Sequence, residues 1–140
     1  MTQVDFYTQV ENKLLFACQI TTKAMSRKLP VLLYAADAGQ AAMLDSLLWT
    51  APALSFIPHC SAGHRLAAAT PVIIAHEPHE FHHHEVLVNL QPEWPPFFSR
   101  FERLVEIVST DEADKAAARQ RWKFYKDRGY QLQSHDMSSR

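Results

Sequence analysis

The stretch Leu29-Pro30-Val31-Leu32-Leu33-Tyr34-Ala35-Ala36-Asp37-Ala38-Gly39-Gln40 decides the fold. Residues 29–36 form a continuous apolar run of strand length. A strand reads this way when both of its faces are covered by helices, as at the centre of a parallel sheet. Asp37 then supplies an N-cap, and Gln40 stands at the capping-box position of a helix that follows at once. Ala41, Leu44, Leu47 and Leu48 give that helix its inward face.

The same alternation extends outward. Residues 4–8 predict a strand. Residues 10–27 predict a helix whose buried face carries Leu14, Ala17, Cys18, Thr21, Ala24 and Met25. Seven of the eight prolines lie from Pro52 to Pro96, so that stretch holds no long helix. Residues 54–57, 72–75 and 85–90 predict short strands there. Residues 95–103 predict a short helix with Pro95 or Pro96 in its first turn. A strand at 104–108 and a helix at 111–128 follow, with Gly129 as a left-handed cap. The expectation is an α/β fold: one domain over residues 1–140, an open, three-layer, largely parallel sheet with helices on both faces. Residues from about 133 to 140 are expected as a flexible tail.

Fourteen cations against fifteen anions give a net charge of -1, so wholesale clamping of nucleic acid or an acidic membrane is disfavoured. Cys18 and Cys60 are too few for a disulfide framework, which predicts a reduced, cytoplasmic setting. No apolar run reaches the roughly 18 residues of a membrane span. Met1-Thr2-Gln3-Val4-Asp5 lacks the regions of a secretory signal.

A nucleotide site needs several glycines, because the backbone must approach the phosphates closely. The turn after residues 29–36 has only Gly39, and neither G-x-G-x-x-G nor G-K-[ST] occurs. No cofactor is expected. His76, His79, His82, His83 and His84 lie within nine residues beside Glu77, Glu80 and Glu85. Imidazoles this dense suit zinc or nickel, and a metal-dependent hydrolase is one alternative. Pro78 breaks the segment, and the competing reading is a solvated polar loop with only adventitious metal affinity and no evolved metal site. His59 reads as a packed or hydrogen-bonded residue. Cys60 near His59 and His64 makes no dyad by itself, and Glu102 and Glu106 straddle a change from helix to strand.

The last helix is the most informative segment. Residues 115–128 hold six cations and one anion. At about 100° per residue, Lys115, Arg119, Lys123 and Lys126 fall on one strip, with Trp122 at its edge. Ala117 and Phe124 lie on a separate apolar side. Such a strip is either a solvated face or a match for an acidic peptide with an apolar anchor. Direct binding of single-stranded nucleic acid is a further alternative, though four cations are a small footprint for it. Trp49, Phe56 and Ile57, after the core face of the second helix, are either interface anchors or core.

Several residues, in order, resemble one family. They are Phe6-Tyr7, Leu44-Asp45, Leu48-Trp49-x-x-Pro52, Ser55-Phe56-Ile57-Pro58-His59, Pro71-Val72-Ile73-Ile74, and Arg119-x-Arg121-x-Lys123-x-Tyr125-x-x-x-Gly129-Tyr130. Together they resemble the chi subunit of bacterial DNA polymerase III, over residues 5–132. The resemblance implies a nucleotide-binding-like fold without nucleotide, in a non-catalytic adaptor. It would link the clamp loader, through the psi subunit, to the acidic, phenylalanine-terminated tail of single-stranded DNA-binding protein. DNA would be reached indirectly. For the tail, the resemblance implies Val108, Lys115, Arg119, Trp122, Lys123 and Lys126. Arg119 would grip a carboxylate, and Val108 and Trp122 would wall a pocket for the terminal Phe. For psi it implies Trp49, Phe56, Ile57 and Pro58. The histidine-rich loop departs from the family, as does Trp122, where Tyr is frequent.

Overall fold

The computed structural model describes residues 1–50, 58–64, 66–79 and 81–138. Its chain order is β1 (Gln3–Val10), α1 (Lys13–Ser26), β2 (Val31–Tyr34), α2 (Ala38–Thr50), β3 (His59–Ser61), β4 (Val72–Ala75), β5 (Val86–Asn89), β6 (Arg103–Ser109), α3 (Glu112–Asp127) and β7 (Gln131–Asp136). The seven strands among the described residues are parallel in one sheet, in the order β3-β4-β2-β5-β6-β1-β7. The sheet separates two cores. Val31, Leu33, Val88 and Ile107 face α1 and α2. Leu32, Leu87, Leu104 and Val108 face α3 and the aromatic group of Phe98, Phe101 and Tyr125. Strand alternation makes this three-layer, open α/β arrangement possible, because successive side chains enter opposite cores.

The central strand has the predicted character: all four residues of β2 are buried. Asp37 accepts from the Gln40 amide at 2.8 Å. The Gln40 carboxamide accepts from the Ala36 amide at 2.8 Å, one residue before the cap. α1 starts at Lys13 because Asn12 caps it, accepting from the Leu15 amide. β1 runs on to Val10 because a bulge lies between Tyr7 and Val10. The 3-10 turn Phe98–Arg100 stands where a short helix was expected. Gly129 closes α3 at φ +82°, a backbone conformation that side chains oppose.

One expectation about the chain's end needs correction. Residues 133–136 are not a flexible tail but part of β7, paired in parallel with β1 from Gln3↔Gln131 to Thr8↔Asp136. The free backbone edge of β1 provides this pairing, and α3 carries the chain to it. The Met137 amide continues it, donating to the Thr8 carbonyl at 3.0 Å. Among the described residues a strand lies at His59–Ser61, which was not expected; the strand expected at residues 54–57 lies outside them.

Candidate functional site

β1 and β6 are neighbours whose connections leave toward opposite edges of the sheet. β1 passes through α1 to β2, and β6 passes through α3 to β7, with α1 and α3 on opposite faces. Doubly wound sheets have a crevice at such a point, outside the carboxyl ends of the strands. A cavity of about 370 Å³ lies there.

Its walls divide by chemistry. Phe6, Val108, Ala118 and Trp122 supply the apolar part, with the Phe6 and Trp122 rings edge-to-face at 5.1 Å. Lys115 and Arg119 of α3 add positive charge. Lys115 is 3.6 Å from Glu112, whereas Arg119 is exposed and has no ion pair among the described residues. Thr8 and Gln9 of β1 and Ser134 of β7 form a neutral polar lip. Val108, Lys115, Arg119 and Trp122 thus share one cavity. Lys123 and Lys126 are exposed on α3 outside its lining. Phe6, Thr8, Gln9 and Ser134 come to it from strands that the helical wheel does not contain.

α3 is fixed against the sheet at both ends. Asp111 accepts from the Asp114 amide as N-cap. Asp114 accepts from the Ser109 amide at 2.7 Å and pairs with Lys13 at 3.2 Å. Burial works against the Asp114 carboxylate, yet the Ser109 amide and the Lys13 ammonium hold it below its ordinary range. Farther along, Arg121 is buried and its Nε donates to Glu106 at 3.0 Å. Tyr125 donates to the second Glu106 oxygen at 2.6 Å, and Asn89 donates to the same carboxylate at 3.0 Å. A second Arg121 nitrogen donates to the Pro92 carbonyl at 2.9 Å. Burial raises the Glu106 carboxyl above its ordinary range, against the opposing pull of Arg121, Tyr125 and Asn89. Burial, with Glu106 beside it, raises the Tyr125 phenol as well. Arg121 therefore anchors the helix rather than joining its cationic face.

On α3's other flank, Phe124 stacks on Trp94 at 3.7 Å and carries the Arg128 guanidinium over its ring at 3.7 Å. The apolar side expected from Ala117 and Phe124 is thus an aromatic contact.

Gln91, after β5, ties together the carboxyl ends of β2 and β4. The Gln91 carboxamide donates to the Ala35 carbonyl at 2.8 Å and to the His76 carbonyl at 3.1 Å. The histidines of the next loop diverge. His76 lies 3.7 Å from Glu77, His83 bonds the Thr70 carbonyl, and His84 packs near Phe101. Among the described residues, no three potential metal ligands gather. His59 is buried, 3.2 Å from Asp45, with the Trp49 ring 4.7 Å away. Trp49 is 60% exposed and Pro58 is exposed, while Phe56 and Ile57 lie outside the described residues. Glu102 is exposed and Glu106 is buried, so the two carboxylates form no pair. Among the described residues, no helix is long and apolar enough to cross a membrane.

Fold and site together define a doubly wound α/β protein with an open aromatic and cationic cavity at the β1/β6 crevice. Residues 1–133 match the family described as DNA polymerase III chi subunit, HolC. The DNA polymerase III subunit chi of Pseudomonas aeruginosa is 35% identical over 139 residues, covering 96% of each chain. That of Escherichia coli is 32% identical, over 94% of this chain and 88% of its own. That of Haemophilus influenzae is 28% identical, over 94% and 95%. The chain belongs to the DNA polymerase III chi-subunit family.

Proposed function

We propose that this chain is a non-catalytic adaptor of the DNA polymerase III holoenzyme in DNA replication. It joins the clamp loader, through psi, to the acidic C-terminal tail of single-stranded DNA-binding protein. The observation that carries this reading is the cavity at the β1/β6 crevice. Its apolar walls at Val108 and Trp122 suit a terminal phenylalanine side chain. Arg119, exposed and without an ion pair among the described residues, suits a carboxylate. Lys123 and Lys126 extend the charge along α3 for the acidic residues that precede the phenylalanine.

The mechanism is linkage. One tail contact is weak, but a DNA strand coated with binding protein offers many tails. The effective concentration of the next tail then holds the assembly in place. Partly exposed ion pairs are screened, so affinity falls as salt rises.

Fluorescence polarisation of a labelled acidic peptide ending in Phe tests the reading. Arg119→Ala should weaken it by roughly 10- to 150-fold, the loss of about 1.5–3 kcal/mol for a charged hydrogen bond. An unchanged titration rejects the placement. We assign psi to the separate surface around Trp49 and Pro58, together with Phe56 and Ile57, which lie outside the described residues. Trp49→Ala should weaken the complex with psi while leaving the peptide titration unchanged.

A further inference from the structure

Two non-glycine residues among those described have positive φ, Gln9 and Lys28, both at +59°. Lys28 follows α1, where the Leu29 amide returns to the Ala24 carbonyl and a left-handed residue closes the helix. Gln9 ends no helix. It sits in the bulge of β1, inside a strand, where a side chain with a Cβ disfavours that backbone.

The bulge has two consequences. It shifts the alternation of β1, so Val4 and Phe6 face α3 whereas Val10 enters the core under α1. It also brings Gln9 to the cavity lip, half-buried, with no hydrogen bond for its carboxamide among the described residues. The opposite wall, on α3, carries Lys115 and Arg119 and is suited to charge. A neutral carboxamide offers two donors and an acceptor, the complement of a peptide group.

We propose that Gln9 recognises the main chain of the bound tail, its carboxamide pairing with the last peptide group before the C-terminal residue. The inference rests on the tail-binding reading above. It gives the site two kinds of recognition: α3 selects charge, and β1 holds the backbone whatever the side chains. Strain retained at a binding residue fits such a role, since the local structure must fix the side chain before the ligand arrives.

The test uses the full chain and the labelled acidic peptide ending in Phe. Gln9→Gly removes the carboxamide and relieves the backbone, whereas Gln9→Ala removes the carboxamide and keeps the strain. Both should weaken the peptide roughly fivefold, the scale of one neutral hydrogen bond. Gln9→Gly should also raise the urea midpoint above that of Gln9→Ala. The dependence of affinity on salt should stay as in the wild type, whereas Arg119→Ala should flatten it. A peptide with an ester in place of its last amide loses the N–H but keeps the carbonyl, so it should narrow the difference between wild type and Gln9→Ala. The proposal is overturned if Gln9→Gly binds as tightly as wild type. It is equally overturned if the Gln9 variants change the salt dependence, or if the ester peptide separates Gln9→Ala from wild type as widely as the amide peptide does. Wild-type protein that binds no peptide removes the tail-binding reading itself, and the Arg119→Ala control tells that failure from this one.

Discussion

Replacing Arg121 by Met strikes the contact that sets α3 on the sheet. Arg121 makes two charged hydrogen bonds, to Glu106 at 3.0 Å and to the Pro92 carbonyl at 2.9 Å. Met fills much of the space but leaves the Glu106 carboxylate fully buried without its cation. Breaking a buried pair from one side costs about 3–5 kcal/mol. With a urea slope of about 2 kcal/mol per molar, the midpoint should fall by about 2 M. The loss should depend on pH. Burial already raises the Glu106 carboxyl, and removing Arg121 takes away an interaction that lowers it. A carboxyl whose folded pKa lies above its unfolded value of about 4.3 favours folding in acid, and that favour is lost as pH rises through the folded pKa. The gap between wild type and variant should therefore be smaller at pH 5 than at pH 8. Adding Glu106→Gln to Arg121→Met removes the stranded charge and should recover at least half of the loss. Urea unfolding followed by tryptophan fluorescence reads all of these. A single-variant loss below about 1 kcal/mol, or a double variant no better than Arg121→Met, refutes the reasoning.

Two further outcomes follow from titrating groups. Asp114 has its folded pKa lowered, so its contribution is present above the unfolded value of about 3.9 and is lost as pH falls through the folded one. Asp114→Asn should be less stable than wild type at pH 7, with the gap narrowing in urea titrations as pH falls below the unfolded value of about 3.9. Burial pushes the Cys18 thiol up to about 11. At pH 8 a thiol reagent should modify Cys60 in the folded chain and reach Cys18 only in denaturant; equal rates for both would contradict the burial of Cys18.

The parts of the fold legible in the sequence are those whose pattern is local. β2 announces itself because both of its faces are apolar, and α3 because its cations segregate from its acids. β7 escapes notice because Gln131-Leu132-Gln133-Ser134-His135-Asp136 has no apolar face; it is a strand because β1 offers it a backbone edge. β3 escapes for a similar reason, since His59-Cys60-Ser61 gains its strand character from pairing with β4. Arg121 belongs to the cation count on a helical wheel, yet Glu106, fifteen residues away, draws it inward. The candidate cavity is legible by half. Val108, Lys115, Arg119 and Trp122 come from β6 and α3, adjacent in sequence. Phe6, Thr8 and Gln9 reach it only because β1 lies between β6 and β7, an order that local pattern does not encode.

The central claim is that the tail seats in the cavity at the β1/β6 crevice. An isotope-labelled chain titrated with the unlabelled acidic peptide ending in Phe reports this directly by nuclear magnetic resonance. The account predicts shifts concentrated at the Val108 methyls, the Ala118 methyl and the Trp122 indole, with Trp49 unmoved. Shifts centred on Trp49 and Pro58, or none at low salt, would contradict it.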